Sequence, residues 1–244
     1  MQAVPPGVLL IDKPVGPTSY KMVQLVKRAL QIKKVGHTGT LDPFASGLLV
    51  ICAGRQATRL IPQLMDGEKE YTATLRLGIE TDSQDLTGVV VGRHEVSGLS
   101  RAAIDDCVAG FAGEQLQQPP CFSALKYQGK PLYYYARKGI KVEKEPRPVF
   151  IREIETLAWQ DDQLLIRVVC GKGTYIRTLA ADIGAALGCG AHLVELRRTR
   201  NGRFSVQDAL PGDALLQERQ AASALLLEHM LPVDDLIAGF LNNV

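Results

Sequence analysis

No Cys-x-x-Cys pair occurs in this chain, and its five cysteines (Cys52, Cys107, Cys121, Cys170 and Cys189) are an odd, scattered set. That spacing excludes a disulfide framework and a zinc site, and reduced thiols in a cytosolic (cytoplasmic) protein are expected. The four histidines, His37, His94, His192 and His229, lie far apart with no helical His partner, so no metal site is indicated. Neither G-x-G-x-x-G nor G-x-x-x-x-G-K-[ST] is present; Gly171–Lys172–Gly173–Thr174 comes nearest and lacks the first glycine. A dinucleotide fold and a nucleotide phosphate loop are therefore unsupported. Long apolar runs are missing too: Pro43–Gly54, charge-free, is too short to span a bilayer. No basic segment precedes Val8–Leu9–Leu10–Ile11, so a secretory signal is not expected. Nor is there an excess of charge: 28 Lys and Arg face 26 Asp and Glu, a net of +2 that argues at first against a nucleic-acid partner.

What is there is the composition of a folded globular protein, 46% apolar and 22% charged over 244 residues, enough to bury a full core. Low-complexity disorder and coiled coil are excluded. Resolved along the chain, the charge is far from uniform. Residues 1–60 carry +6, residues 61–125 carry −6, residues 126–152 carry +6, residues 153–204 carry +1 and residues 205–244 carry −5. In the block 126–152, Lys126, Lys130, Arg137, Lys138, Lys141, Lys144, Arg147 and Arg152 are interleaved with Tyr127, Tyr133, Tyr134 and Tyr135. Cations among aromatics suit a phosphate backbone and unstacked bases. A solvated charged surface is the alternative.

Periodicity predicts an α+β protein rather than a doubly wound one. Val8–Asp12 reads as a strand, and Thr18 or Ser19 as the cap of a helix carrying Met22, Val23, Val26, Ala29 and Leu30. Residues 35–46 read as a loop, Gly47–Cys52 as a buried strand and Ala57–Met65 as a helix. Tyr71, Ala73, Leu75 and Leu77 alternate, the pattern of a half-buried strand. Val89–Val91 is a further strand, and Ser100 caps a helix reaching Phe111. Strands Val149–Trp159 and Leu164–Cys170 join at Asp161–Asp162, and Thr174–Leu187 is a helix before Gly188. Leu193–Arg200 and Arg203–Val206 form a hairpin around Asn201–Gly202, and helices Gln217–Glu228 and Val233–Phe240 follow.

The most unusual segment runs from Gly36 to Gly47, Gly-His-Thr-Gly-Thr-Leu-Asp-Pro-Phe-Ala-Ser-Gly. It holds one carboxylate, Asp42, in a loop whose glycines permit close backbone approach. Asp before Pro also starts an ordinary turn, so residue types alone leave both readings open.

Gly36–Leu48, with Leu10–Ile11–Asp12–Lys13–Pro14, closely resembles the TruB family of tRNA pseudouridine synthases. Further matches follow in the family's order: Lys69–Glu70–Tyr71 with Arg76–Leu77–Gly78, then 81–88, 118–126, 129–133 and 171–179, and finally His192–Leu193 with Leu196–Arg197–Arg198. The resemblance covers about residues 7–237. It implies the pseudouridine synthase fold, a mixed, largely antiparallel central sheet flanked by helices, with an RNA-gripping insertion at about 121–152. It also implies isomerisation of the T-loop uridine at position 55 of tRNA, flipped out of its stack, without cofactor or metal.

The roles that follow are those the resemblance implies. Asp42 is the essential carboxylate at the sugar–base junction, Tyr71 stacks on the base and is the candidate for the C5 proton, and Arg177 is the ion-pair partner of Asp42. Tyr175 and Leu196 line the pocket, although Tyr71 and Tyr175 also suit plain core packing. His37 acts near the RNA loop, Lys13 serves the architecture around the site, and Asp85 either reaches the pocket or only forms a turn. Lys126, Lys130 and Arg137 grip the T arm.

The partner expected is tRNA through its T-arm stem-loop, with no membrane, no obligatory protein partner and a monomeric state. Bacterial relatives usually continue into a C-terminal PUA-type RNA-binding domain. Here residues 1–240 are expected to be one catalytic domain with that extra domain absent. A non-catalytic RNA-binding or tRNA-folding protein, and the catalytic subunit of a guide-RNA ribonucleoprotein, are the alternatives. A tRNA-folding role could also coexist with catalysis.

Overall fold

The computed structural model describes residues 4–217 and 221–236. The chain divides into two compact bodies: residues 1–69 with 197–244, and residues 70–196 between them.

The first body is built on β1 (Gly7–Lys13) and β3 (Ser46–Ala53), antiparallel from Gly7↔Ala53 to Lys13↔Gly47. Between them come α1 (Ser19–Ala29) and β2 (Val35–His37). Successive strand residues point to opposite faces, which explains two unbroken apolar runs: this sheet is covered on both sides. Leu9, Ile11, Leu49 and Ile51 share one core with Met22, Val23 and Val26 of α1. Val8, Leu10, Leu48 and Val50 share another with Ala57, Leu64 and Phe204. Each such side chain contributes about 1.5–3 kcal/mol on leaving water. Of the two candidate caps, Thr18 is the N-cap of α1, accepting from the Lys21 N–H at 3.0 Å.

Residues 35–46 are not wholly a loop. β2 pairs with β3 from Val35↔Ala53 to His37↔Ile51 through its backbone, with no side-chain alternation to announce it. The single helix expected over Ala57–Met65 is two, α2 (Arg55–Arg59) and α3 (Ile61–Asp66). Pro62 in the first turn of α3 lacks an N–H, and its ring blocks a continuous helix, so the break falls just ahead of it.

The second body opens on β4 (Lys69–Leu77), whose Tyr71, Ala73, Leu75 and Leu77 are all buried as their alternation requires. β5 (Ile79–Thr81) and β6 (Val90–Arg93) form a hairpin, one residue or more displaced from the expected Val89–Val91. α4 (Arg101–Ala109) is capped by Ser100 and stops short of Phe111, at Gly110. β7 (Gly113–Gln117) follows, then the two-residue strands β8 (Lys126–Tyr127) and β9 (Lys130–Pro131) and the short helix α5 (Leu132–Ala136). β10 (Arg147–Gln160) and β11 (Gln163–Cys170) pair around Asp161–Asp162, with Asp161 at φ +53°. α6 (Ile176–Ala186) begins two residues later than Thr174. β12 (Ala191–Asn201) starts in this body, where the strand order is β12–β4–β11–β10–β7.

The end of β12 belongs to the first body, lying parallel to β3 at Arg197↔Ser46 and Arg198↔Gly47. It turns through Gly202 into β13 (Phe204–Ser205), the expected hairpin. β14 (Leu210–Pro211) and β15 (Leu231–Pro232) flank β1. The helix expected over Gln217–Glu228 is α7 (Asp213–Gln217) and α8 (Ala221–Glu228), with 218–220 outside the described residues. Residues 233–236 are helical; the remainder of the expected Val233–Phe240 helix lies outside the described residues. Most pairings are antiparallel, as the α+β reading requires. Among the described residues no helix is long and apolar enough to cross a membrane, and the five cysteines are free thiols.

Candidate active site

In the first body the segment after β1 clamps both neighbours of Asp42. Ser19 Oγ donates to the Leu41 carbonyl at 2.9 Å and accepts from the Leu41 N–H at 2.8 Å. The Gly16 N–H donates to the Pro43 carbonyl at 2.8 Å. Lys13, 0% exposed, donates from Nζ to the carbonyls of Pro14 at 2.8 Å and Pro17 at 2.9 Å, and reaches Pro43 at 3.5 Å. Burial pushes this ammonium down to about 8, the Asp42 carboxylate opposes the shift, and Arg198 adds to it. The Ala45 N–H closes the turn onto the Asp42 carbonyl at 3.1 Å. Asp42 itself is half-buried. Its loop is held from several directions.

Two side chains from β12 complete that hold. Arg198 is 1% exposed; its Nε donates to the Leu48 carbonyl at 2.7 Å and its Nη2 to the Gly39 carbonyl at 3.2 Å. Asn201 Nδ2 donates to Thr38 Oγ1 at 2.9 Å. β12 approaches so closely at Gly47, φ +101°, that a Cβ there would lie 2.3 Å from the Arg198 carbonyl oxygen. His37, at the end of β2, is held below its ordinary value first by burial and then by the Arg198 charge, so it is neutral at pH 7. Asp12 takes a bidentate pair from Arg197, at 3.0 and 2.7 Å.

In the second body Arg177 and Asp85 come together. The Arg177 Nη1 lies 3.4 Å from Asp85 Oδ2 and donates to the Ser83 carbonyl at 3.2 Å, while Nη2 donates to the Phe122 carbonyl at 2.8 Å. Both side chains are 6% exposed, so each charge depends on the other. Asp85 Oδ1 also accepts from the Thr87 N–H at 2.9 Å, Thr87 Oγ1 at 2.6 Å and Ser83 Oγ at 2.8 Å. It therefore forms a turn, one of the two readings the sequence allowed, and it also holds Arg177. Tyr71 is buried on β4, Leu196 is buried near the end of β12, and Tyr175 is half-buried ahead of α6. The Tyr175 backbone is clasped by Gln117, whose Oε1 accepts its N–H at 2.7 Å and whose Nε2 donates to its carbonyl at 3.0 Å.

The basic block lies on β8, β9, α5, the segment beyond it and the start of β10. Lys126 and Tyr127 pair with Pro131 and Lys130. Arg137 lies over the Tyr133 ring at 5.5 Å and Lys144 over Tyr127 at 4.9 Å. Lys138 and Lys130, donating to its hydroxyl, hold the Tyr134 phenol below its ordinary value. Among the described residues no group of three His, Cys, Asp or Glu side chains converges to hold a metal. Gln117 had no sign in the sequence; Ser19 was named there only as a candidate helix cap, Asn201 only as a turn residue and Arg198 only within the Leu196–Arg197–Arg198 run.

Two family models match the chain, one directly after the other. The first, described as TruB family pseudouridylate synthase (N terminal domain), matches residues 27–176; the second, tRNA pseudouridylate synthase B C-terminal domain, matches residues 177–238. The tRNA pseudouridine synthase B of Desulfotalea psychrophila is 58% identical over 87% of this chain and 88% of its own. That of Bordetella pertussis is 52% identical over 93% of each. A crystal structure of a Cbf5–Nop10–Gar1 complex is similar at TM-score 0.70 and 31% identity, over 93% of this chain. The chain spans 60% of the length of that matched chain.

Proposed function

The chain belongs to the TruB family of pseudouridylate synthases, and on that premise we propose that it isomerises uridine to pseudouridine at position 55 in the T loop of tRNA. The N1–C1′ bond breaks, the detached uracil turns, and a C5–C1′ bond forms with loss of the C5 proton. N1 takes up a proton in its place, so the product is an isomer of the substrate and the reaction consumes neither an oxidant nor a group donor. Asp42 serves the sugar–base junction, either by bonding to C1′ or by supporting charge and proton transfer there. Tyr71 is the platform for the extracted base and faces its C5 proton; Arg177, fixed by Asp85, is the cation that the family resemblance assigns to the aspartate. Tyr175 and Leu196 wall the pocket. His37, neutral, is suited to stacking where the flipped nucleotide leaves a gap. The target is a base buried in folded tRNA, so recognition rests on loop shape and phosphates, with Lys126, Lys130 and Arg137 on the T arm.

The observation that supports this reading most directly is the clamp on Asp42, which fixes Leu41 and Pro43 on either side and sets a buried ammonium against the carboxylate. The test is tritium release from C5-labelled uridine in a T-arm stem-loop, with no partner protein or guide RNA present. Asp42→Asn is expected to abolish release while leaving RNA affinity within about tenfold, because one carboxylate changes and every cation proposed to grip phosphate is kept. Substantial release by that variant would overturn the assignment. A tRNA-folding role, carried by the basic block, would survive in the same variant and be read by tRNA refolding.

A further inference from the structure

We propose that Lys130, Tyr134 and Lys138 form a seat for a single phosphodiester of the RNA backbone. The proposal rests on the RNA-substrate reading above and adds to it a particular ligand atom group and a particular organising side chain. Lys130 lies on β9, Tyr134 on α5 and Lys138 in the turn after it, and the three side chains converge. Lys130 Nζ donates to Tyr134 Oη at 3.2 Å and Lys138 Nζ donates to the same oxygen at 2.8 Å. Both ammoniums also lie against the Tyr134 ring, at 4.4 and 4.5 Å from its centre. One phenol oxygen thus holds two cations within about 6 Å of each other, where like charges repel.

Elsewhere in the block such charge is answered by carboxylates: Lys141 meets Glu143 at 3.0 Å and Arg152 meets Glu153 at 3.7 Å. Among the described residues neither Lys130 nor Lys138 has a carboxylate partner. Each ammonium has three N–H donors and uses one on Tyr134, so donors from both remain for one anion. The arrangement is braced rather than loose. The Tyr135 ring packs edge-on to Tyr134 at 5.4 Å, and Tyr135 in turn packs on Tyr127 at 5.6 Å and donates its hydroxyl to the Tyr127 carbonyl at 3.1 Å. With two ammoniums against its ring, Tyr134 is poorly placed to stack a base. Two converging point charges without a planar fork suit the two unesterified oxygens of a phosphodiester.

The experiment uses the full chain and T-arm stem-loops in which one linkage at a time is a neutral methylphosphonate. Tyr134→Phe keeps both cations and the ring, yet is expected to weaken binding about three- to tenfold by releasing the ammoniums from their shared acceptor. The losses from Lys130→Gln and Lys138→Gln should be less than multiplicative in the double variant. At one linkage, the methylphosphonate should weaken the wild type but have no effect on that double variant. Multiplicative losses, or a methylphosphonate profile identical in wild type and double variant, would overturn the seat while wild-type turnover of the unmodified stem-loop upholds the RNA reading. Absence of wild-type binding and turnover would remove both.

Discussion

Lys13 is a charged side chain held where water does not reach, with backbone carbonyls as its acceptors. Its folded value of about 8 lies below the ordinary 10.5, so the unfolded chain binds that proton more tightly. The penalty for carrying the charge is in force below pH 8, and it is relieved as pH rises from about 8 to 10.5, where stability should climb. The difference in urea midpoint between wild type and Lys13→Met is expected to move in favour of the wild type across that interval. A difference independent of pH would show that Lys13 is not buried as a cation. At this scale the sequence was informative about residues whose order along the chain is distinctive: Lys13, Asp42, Tyr71, Asp85 and Arg177 all stand in recognisable runs. It was silent about what Gln117 and Asn201 hold. Their partners are Tyr175 and Thr38, 58 and 163 positions away, and nothing in a local pattern encodes such a pairing.

Among elements, those with strong side-chain periodicity were legible. β4 shows its buried face in four alternating residues, and α1 shows its stripe. β7 was not, because Gly113–Gln117 is polar and pairs with β10 through its backbone, from Arg147↔Gln117 to Ile151↔Gly113. β8 and β9 are too short to carry a period at all. The segment between β2 and β3 takes its shape from the end of β12 packed against it, and Gly47, at the start of β3, marks the closest approach. Gly47→Ala would place a methyl against the Arg198 backbone at a φ that side chains rarely adopt. A loss of about 2–4 kcal/mol in urea unfolding is expected, with a fall in turnover as the loop shifts. An unchanged midpoint would mean that β12 does not constrain the loop.

For the whole molecule, net charge was the least informative number and its distribution the most. A chain at +2 that concentrates cations in 126–152 should bind RNA with steep salt dependence. Replacing Lys126, Lys130 and Arg137 with glutamine is expected to flatten the plot of log affinity against log salt, by about 0.7–0.9 for each phosphate no longer neutralised. An unaltered slope would return this block to ordinary solvated surface. The first body has one more property, and it concerns time. Its sheet and its loop clamp draw on residues 197–236 as well as on 4–69, with a complete second body translated in between. At about 5–20 residues per second, roughly 8 to 30 seconds separate emergence of Asp42's loop from emergence of Arg198 and Asn201. During that interval the carbonyls of Gly39 and Leu48 await their donors and β1 lacks β14 and β15. A nascent chain stalled before β12 is complete would therefore carry Asp42 without the surroundings that hold its loop in shape.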